Sequence, residues 1–235
     1  MPLLIRLICR MSDLRLVIFD VDGTLVDSQE MIFAAFTYAY EDAGLPVPER
    51  GRALSFVGRS LELIFPELSP ELDAPQHARL TQGYRDAYFH LRKERGSNAT
   101  SPFFAGARAA LDQLKAQDWT VLAVATGKSQ RGLDKLIAGY GLEGYFLSQQ
   151  TADHHPSKPH PAMVQACLAE TGIDAGRAVM IGDTTYDIDM GRAAGVKTIG
   201  VSWGYHPTET LQADRIIDTF DVLHSTIDEL IGPAT

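Results

Sequence analysis

Cysteine is almost absent from this chain. Cys9 and Cys167 are the only two among 235 residues, too few and too far apart for a disulfide framework or a thiolate metal site. The chain therefore suits a reducing compartment, and a cytoplasmic location is expected. Cys167 lies in an apolar helical pattern and reads as a small core residue. Positive charge is also short: 21 Lys and Arg face 30 Asp and Glu, a formal net charge of -9. A sequence-independent nucleic-acid binder needs a basic surface, so no nucleic-acid partner is expected. A local cluster of cations can still attract a small anion. Long apolar runs are missing as well. Pro2–Cys9 is interrupted by Arg6 and is too short to span a bilayer. No small-residue cleavage site follows it, and no membrane partner is expected. We expect Met11-Ser12-Asp13 to be the natural start, with Met1–Arg10 an upstream extension. There are no internal repeats and no low-complexity segments.

What the chain does have is one organising stretch, Leu16-Val17-Ile18-Phe19-Asp20-Val21-Asp22-Gly23-Thr24-Leu25-Val26-Asp27-Ser28. Its first half is apolar, β-branched and aromatic, the mark of a strand buried on both faces. Where the run stops, Asp20 and Asp22 arrive two residues apart, so both carboxylates can face one site. Gly23 permits a sharp turn and a close ligand approach to the main chain, with Thr24 beside it. Two carboxylates at the mouth of an apolar strand need a cation or a shared proton. One can act as a nucleophile and the other as a proton donor and acceptor. A hard divalent cation such as Mg²⁺ suits such an oxygen cluster. Read alone, the pentad could be no more than a strand-to-turn junction.

After Ser28 the period changes. Met31, Ile32, Ala35, Phe36, Ala39, Tyr40 and Ala43 recur at helical spacing until Gly44 and Pro46. Asp73 to Arg95 reads as a second long helix, with shorter helical pieces at Arg50–Phe56 and Leu61–Phe65 and no strand before about residue 96. Helices and strands then alternate. Strands are expected at Thr120–Ala125, Tyr145–Leu147, Ala178–Ile181, Thr198–Val201 and near Arg215–Ile217. This pattern predicts an α/β fold, a doubly wound parallel sheet with a Rossmann-like core and an inserted α-helical cap subdomain. The expected core comprises residues 11–27 and 101–235, and the cap residues 28–100.

Three later segments carry chemistry. Thr126-Gly127-Lys128-Ser129 follows a buried strand, where a hydroxyl and free backbone N–H groups suit a phosphate oxygen. Read alone, Thr126 and Ser129 would simply cap the helix. Lys158 stands in His154-His155-Pro156-Ser157-Lys158-Pro159-His160-Pro161, a stretch stiffened by prolines. A lysine so held could neutralise a phosphate and its attacking carboxylate. The three histidines lack the spacing of a zinc site. Met180-Ile181-Gly182-Asp183-Thr184-Thr185-Tyr186-Asp187 again breaks a strand at glycine and delivers a carboxylate. Asp183, with Asp187 a helical turn on, is a candidate metal ligand. The alternative for either residue alone is helix N-capping.

Four strand ends thus offer, in order, a carboxylate pair, Thr, Lys and a carboxylate pair, and catalytic groups in open α/β folds collect at such ends. As a set they resemble the four motifs of the haloacid dehalogenase-like hydrolases. That resemblance implies Asp20 as nucleophile and Asp22 as general acid and then base. It implies Thr126 as a phosphoryl ligand and Lys158 as the offsetting cation. Mg²⁺ would be held by Asp20, the Asp22 main-chain carbonyl and Asp183, with Asp187 in support. Gly23, Thr24 and Gly127 are candidate substrate-binding positions. Val57-Gly58-Arg59-Ser60 resembles the family's substrate-facing cap loop, which makes Arg59 a candidate reader of a substrate anion, the alternative being a surface arginine beside a helix start.

Val26-Asp27-Ser28, Ser157-Lys158-Pro159-His160-Pro161 and Val201-Ser202-Trp203-Gly204-Tyr205 are most similar to the phosphoglycolate phosphatase-like branch. Phe103-Phe104-Ala105-Gly106 departs from it, since relatives commonly carry a Pro before the Gly. The expected partner is a small phosphorylated metabolite, handled by a monomer or homodimer. Competing readings are a sugar-phosphate mutase, a pyrophosphatase and a non-catalytic phospholigand-binding protein.

Overall fold

The structure, a computed structural model, describes residues 14–96 and 100–233. The expectations on Met1–Arg10, the Met11 start and Cys9 fall outside those residues. β1 (Arg15–Phe19) is the central strand of a six-stranded, all-parallel sheet of order β3-β2-β1-β4-β5-β6. The others are β2 (Thr120–Thr126), β3 (Phe146–Thr151), β4 (Ala178–Gly182), β5 (Lys197–Val201) and β6 (Arg215–Ile217). Phe19 pairs with Val124 of β2 on one side and Ile181 of β4 on the other. The chain winds outward both ways from β1, so the switch point, where open α/β sheets place ligands, lies at that strand's carboxyl end.

Helices cover both faces of the sheet. They are α5 (Ala107–Lys115), α6 (Gln130–Tyr140), α7 (Ala162–Thr171), α8 (Thr185–Ala193) and α9 (Leu223–Ile231). Alternation along β1 sends Val17 and Phe19 to one face, with Leu111 of α5, Leu133 of α6 and Ile227 of α9. Leu16 and Ile18 go to the other, with Met163, Val164 and Cys167 of α7 and Met190 of α8. Burial on both faces explains the unbroken apolar run.

Between β1 and α5 the chain forms α1 (Gln29–Asp42), α2 (Arg50–Leu54), α3 (Leu61–Leu68) and α4 (Ala74–Arg95). Asp73 starts α4 with a capping box, its side chain accepting the Gln76 N–H while Gln76 accepts that of Asp73. These helices have a core of their own around Phe36, Tyr40, Phe65 and Leu80. Gly83 of α4 lies against Ala39 of α1, where a Cβ would meet the Ala39 Cα at 3.4 Å. The missing side chain lets the two long helices pack closely. The loop between α2 and α3 reaches the sheet: Ser60 N–H donates to Ser157 Oγ at 2.9 Å. Gly58 lies so near Gly127 that a Cβ on Gly127 would stand 2.5 Å from the Gly58 carbonyl oxygen. The helical layer is therefore shut against the sheet's carboxyl end.

α2 stops at Leu54 rather than Phe56, and β3 and α3 run past their expected ends by the widest margins. β3 runs to Thr151 rather than stopping at Leu147. Its polar Ser148 and Gln150 are buried because they bond each other at 2.7 Å, and Gln150 also bonds His155 at 2.7 Å. α3 continues to Leu68, through Pro66, rather than ending at Phe65.

Candidate active site

Lys158 is the hub. Its ammonium donates to Asp20 Oδ1 at 2.7 Å and to Asp187 Oδ1 at 2.6 Å, and all three side chains are essentially inaccessible to water. Each is delivered by a strand end: Asp20 just after β1, Lys158 in the loop after β3, and Asp187 in the first turn of α8 after β4. Asp187 also accepts from the Thr184 N–H at 3.1 Å and hydroxyl at 2.7 Å. The N-cap of α8 is Thr184 rather than either aspartate; Asp187 is the third-position partner of its capping box, which fixes the carboxylate for Lys158. Asp183 accepts from the Thr24 hydroxyl at 2.9 Å and the Tyr205 N–H at 2.8 Å.

Oxygens of Asp20, Asp183 and Asp187 lie within 4.8 Å of one another. Burial is the largest influence on Asp20 and raises its carboxyl to about 6, against the lowering effect of Lys158. Burial likewise raises Asp183, with Asp187 and Asp20 adding repulsion. Gly23 adopts φ +86°, and a Cβ there would strike Asp183 Oδ2 at 2.3 Å. The turn needs glycine on both counts.

Asp22 faces a different partner. Lys128 Nζ donates to both its carboxylate oxygens, at 2.7 and 2.6 Å, and the Ser28 hydroxyl adds a third bond at 2.6 Å. Burial pushes the Asp22 carboxyl up, but Lys128 and these hydrogen bonds outweigh it and hold it below the ordinary value. Lys128 also bonds the Tyr88 hydroxyl of α4 at 3.2 Å. Thr126, at the end of β2, accepts the Lys128 N–H at 3.2 Å, and Ser129 caps α6 by accepting from Gly132.

A cavity of about 660 Å³ opens between these groups and the helical layer. Asp20, Asp22, Thr126, Gly127 and Arg59 line it. Lys158, Asp183, Asp187 and Thr24 lie buried behind that wall. Arg59 reaches the cavity with both terminal nitrogens on Glu67 at 2.6 Å. Its guanidinium carbon lies 5.4 Å from the Tyr186 ring centroid.

The sequence reading gave no role to Lys128, Ser28 or Tyr205, although all three stood inside quoted stretches. Their signal is a partner distant in the chain. Trp203 Nε1–H donates to the Thr24 carbonyl at 3.1 Å, so the Val201–Tyr205 segment clamps the loop that carries Asp20 and Asp22.

The profile of the haloacid dehalogenase-like hydrolases matches residues 17–201. The protein named "Probable phosphatase IndB" of Dickeya dadantii is 38% identical over 93% of this chain and 93% of its own. The pyrophosphatase PpaX of Bacillus pumilus is 33% identical over 87% and 90%. A phosphoglycolate phosphatase of Caulobacter vibrioides is 35% identical over 86% and 86%. A solved structure described as a predicted phosphatase, from Clostridium acetobutylicum, superposes with a TM-score of 0.79 at 28% identity, covering 92% of this chain and 99% of that one. Fold and site define a doubly wound α/β protein whose charged groups gather at the carboxyl ends of its strands. This chain belongs to the haloacid dehalogenase-like hydrolases. Within that family the phosphatases among its relatives place it with the phosphoric monoester hydrolases.

Proposed function

We propose that the chain is a Mg²⁺-dependent phosphatase that hydrolyses a small, phosphoglycolate-like phosphomonoester through an aspartyl-phosphate on Asp20. The observation that carries this reading is the placement of Asp20, which reaches the cavity while Lys158 holds it from behind. The ester phosphorus is attacked by an Asp20 carboxylate oxygen, and the bond to the alcohol oxygen breaks. Asp22 gives that oxygen its proton, from the acid form that Lys128 disfavours while it holds both Asp22 oxygens. Water then attacks the phosphorus, Asp22 takes up a proton, and the Asp20–phosphate bond breaks to release inorganic phosphate. Thr126 and the Gly127 main chain receive phosphoryl oxygens, and Arg59, paired through both terminal nitrogens with Glu67, would have to leave that pair to read a substrate anion.

The site's charge fits a divalent cation. Asp20, Asp22, Asp183 and Asp187 are four carboxylates served by the two ammonium groups of Lys128 and Lys158, which leaves two formal negative charges. All the side-chain donors are hard oxygens, which suits Mg²⁺. Asp20, Asp183 and the Asp22 carbonyl would hold it, with Asp187 behind. The ion would supply charge neutralisation for a phosphate beside these carboxylates. The helical layer, residues 28–100, acts as the cap that excludes water during transfer.

The test is phosphate release from 2-phosphoglycolate, other small phosphomonoesters and pyrophosphate, with Mg²⁺ and with chelator. The cavity exceeds what a two-carbon ester fills, so bulkier phosphates belong in the panel. Chelator-sensitive release favouring 2-phosphoglycolate is expected. Equal release with chelator would refute the metal requirement, and preference for pyrophosphate would reassign the substrate.

A further inference from the structure

The walls of the cavity differ in character. Its floor carries Asp20, Asp22 and Thr126. The helical layer contributes Ile32, Phe36, Val57 and Ile64, apolar side chains that offer a ligand no hydrogen bond. The mouth is cationic. Arg131 and Lys135, one turn apart on α6, both lie against the Phe89 ring of α4, their charged groups 4.5 and 4.7 Å from its centroid. Phe89 is itself 36% exposed, and all three residues line the cavity. Arg92 of α4 fixes this wall by donating to the Gly132 carbonyl of α6 at 3.2 Å.

The positive charge at the mouth is uncompensated. Among the described residues, neither Arg131 nor Lys135 has a carboxylate partner. Acids that line the same cavity are already engaged: Glu62 pairs with Arg85 at 2.6 Å, and Asp153 accepts the Gln130 N–H at 2.8 Å. Loss of hydration, and then the charges of Arg131 and Arg92, hold the Lys135 ammonium below an ordinary lysine. In a protein of net charge -9, like charges kept together in this way attract an anion. Lys135 stands about 7.5 Å along α6 from the helix start, near which Lys128 turns in to Asp22. An anion at the mouth is therefore several bonds from the leaving oxygen, out of reach of a two-carbon ester.

We propose that the cavity holds a second subsite, in which the helical layer takes an apolar, ring-sized body and Arg131 and Lys135 take an anion at its far end, so that the enzyme also hydrolyses phosphate esters of long apolar hydroxy acids. The inference rests on the phosphatase reading above and extends it to a class of ester that a two-carbon substrate does not represent. The bonds made and broken are those already given, the longer alcohol leaving with its oxygen and proton. A sugar is the poorer occupant, because its hydroxyls would lose water against Ile32, Phe36, Val57 and Ile64 without gaining a partner. Binding the far anion strands no charge, since neither cation is drawn away from a carboxylate.

The test compares kcat/KM, with Mg²⁺, for methyl phosphate, benzyl phosphate and 4-carboxybenzyl phosphate, whose alcohols are alike as leaving groups. The first pair differs in the apolar ring and the second in the far anion alone. The wild type is expected to prefer the benzyl over the methyl ester by roughly tenfold or more. It should prefer the carboxybenzyl over the benzyl ester by roughly 5–30-fold, the worth of one or two exposed ion pairs. That second preference should shrink with added salt, which screens exposed charges. In the double variant Arg131→Gln, Lys135→Gln it falls to within about twofold, mainly through a raised KM for the carboxybenzyl ester. In the double variant Arg131→Glu, Lys135→Glu it inverts. Thermal melts confirm that the variants fold, and Lys135→Gln alone is read in place of a double variant that does not.

Cations that merely shape the mouth would alter both benzyl esters in parallel, and a ratio that the glutamine variant keeps overturns the proposal. So does a wild type that treats the two benzyl esters alike, or one that gains nothing from the ring over the methyl group. The phosphatase reading survives each of these results when 2-phosphoglycolate is hydrolysed. Release from no ester with Mg²⁺ overturns the phosphatase reading, and this inference with it.

Discussion

Lys158 holds Asp20 and Asp187 on a single buried ammonium, at 2.7 and 2.6 Å, joining three strand ends that are far apart in the chain. Desolvating the ammonium disfavours its charge, but Asp187 and then Asp20 outweigh that cost, and Lys158 titrates above an ordinary lysine.

Removing the ammonium should therefore cost stability as well as activity. Lys158→Met leaves two buried carboxylates without their cation, and breaking a buried pair in this way typically costs about 3–5 kcal/mol. Urea denaturation without metal should show that loss. An unchanged midpoint would mean that water or a shift of the loop after β3 relieves the charge.

Asp20→Asn should behave in the opposite way. The amide keeps the shape and removes one buried negative charge, so the fold should melt no lower than the wild type. Turnover should fall by roughly 10⁴-fold or more, the order lost when a catalytic unit is deprived of its nucleophile. Appreciable residual phosphate release would sink the assignment of Asp20.

How much of this was legible beforehand depended on whether a residue's role was local. Asp20 and Asp22 could be read because an unbroken apolar run fixes a strand and its end, and both follow that end directly. Lys158 was legible because prolines leave its loop no regular structure. Lys128 and Ser28 were not, since the Asp22 they hold is one partner among many that composition allows. Arg15 makes the same point inside the sheet. It occupies the first position of β1, fully buried, because Asp228, Gln117 and Thr120 take its guanidinium. Nothing near it in sequence announces those partners. β3 outran its apolar signal for the same reason, its polar residues being satisfied by contacts rather than by water.

Metal binding should depend on pH with a definite sign. Burial raises the folded-state carboxyls of Asp20, to about 6, and of Asp183. Without metal these two groups favour the fold at low pH, where both are protonated. That contribution is lost as pH rises from the unfolded carboxylate value through the folded one. A cation held by the same oxygens requires them ionised, so Mg²⁺ competes with protons for the site. Saturating Mg²⁺ should raise the melting temperature more at pH 7.5 than at pH 5. The gain approaches about 2.7 kcal/mol at a hundredfold excess over Kd. An equal shift at both pH values would show that the ion binds elsewhere.

The last prediction concerns closure of the helical layer. Gly127 meets the main chain of Gly58, so a methyl group there would lie 2.5 Å from a carbonyl oxygen and 2.8 Å from its carbon. Neither is the end of a flexible side chain that could swing aside. Gly127→Ala must push the α2–α3 loop away from β2, and with it the Ser60–Ser157 hydrogen bond that ties the layers together at 2.9 Å. The sheet and its two apolar cores lie on the far side of this contact, so the thermal melt should change little. Catalysis should change more, because a displacement of about 1 Å at a positioned group can cost up to about 10²-fold. A fall in kcat/KM of roughly tenfold or more, with melting unaltered, would show that closure at this contact serves the reaction. A variant with wild-type kinetics would mean that the loop rides freely and that the closed contact plays no part in turnover.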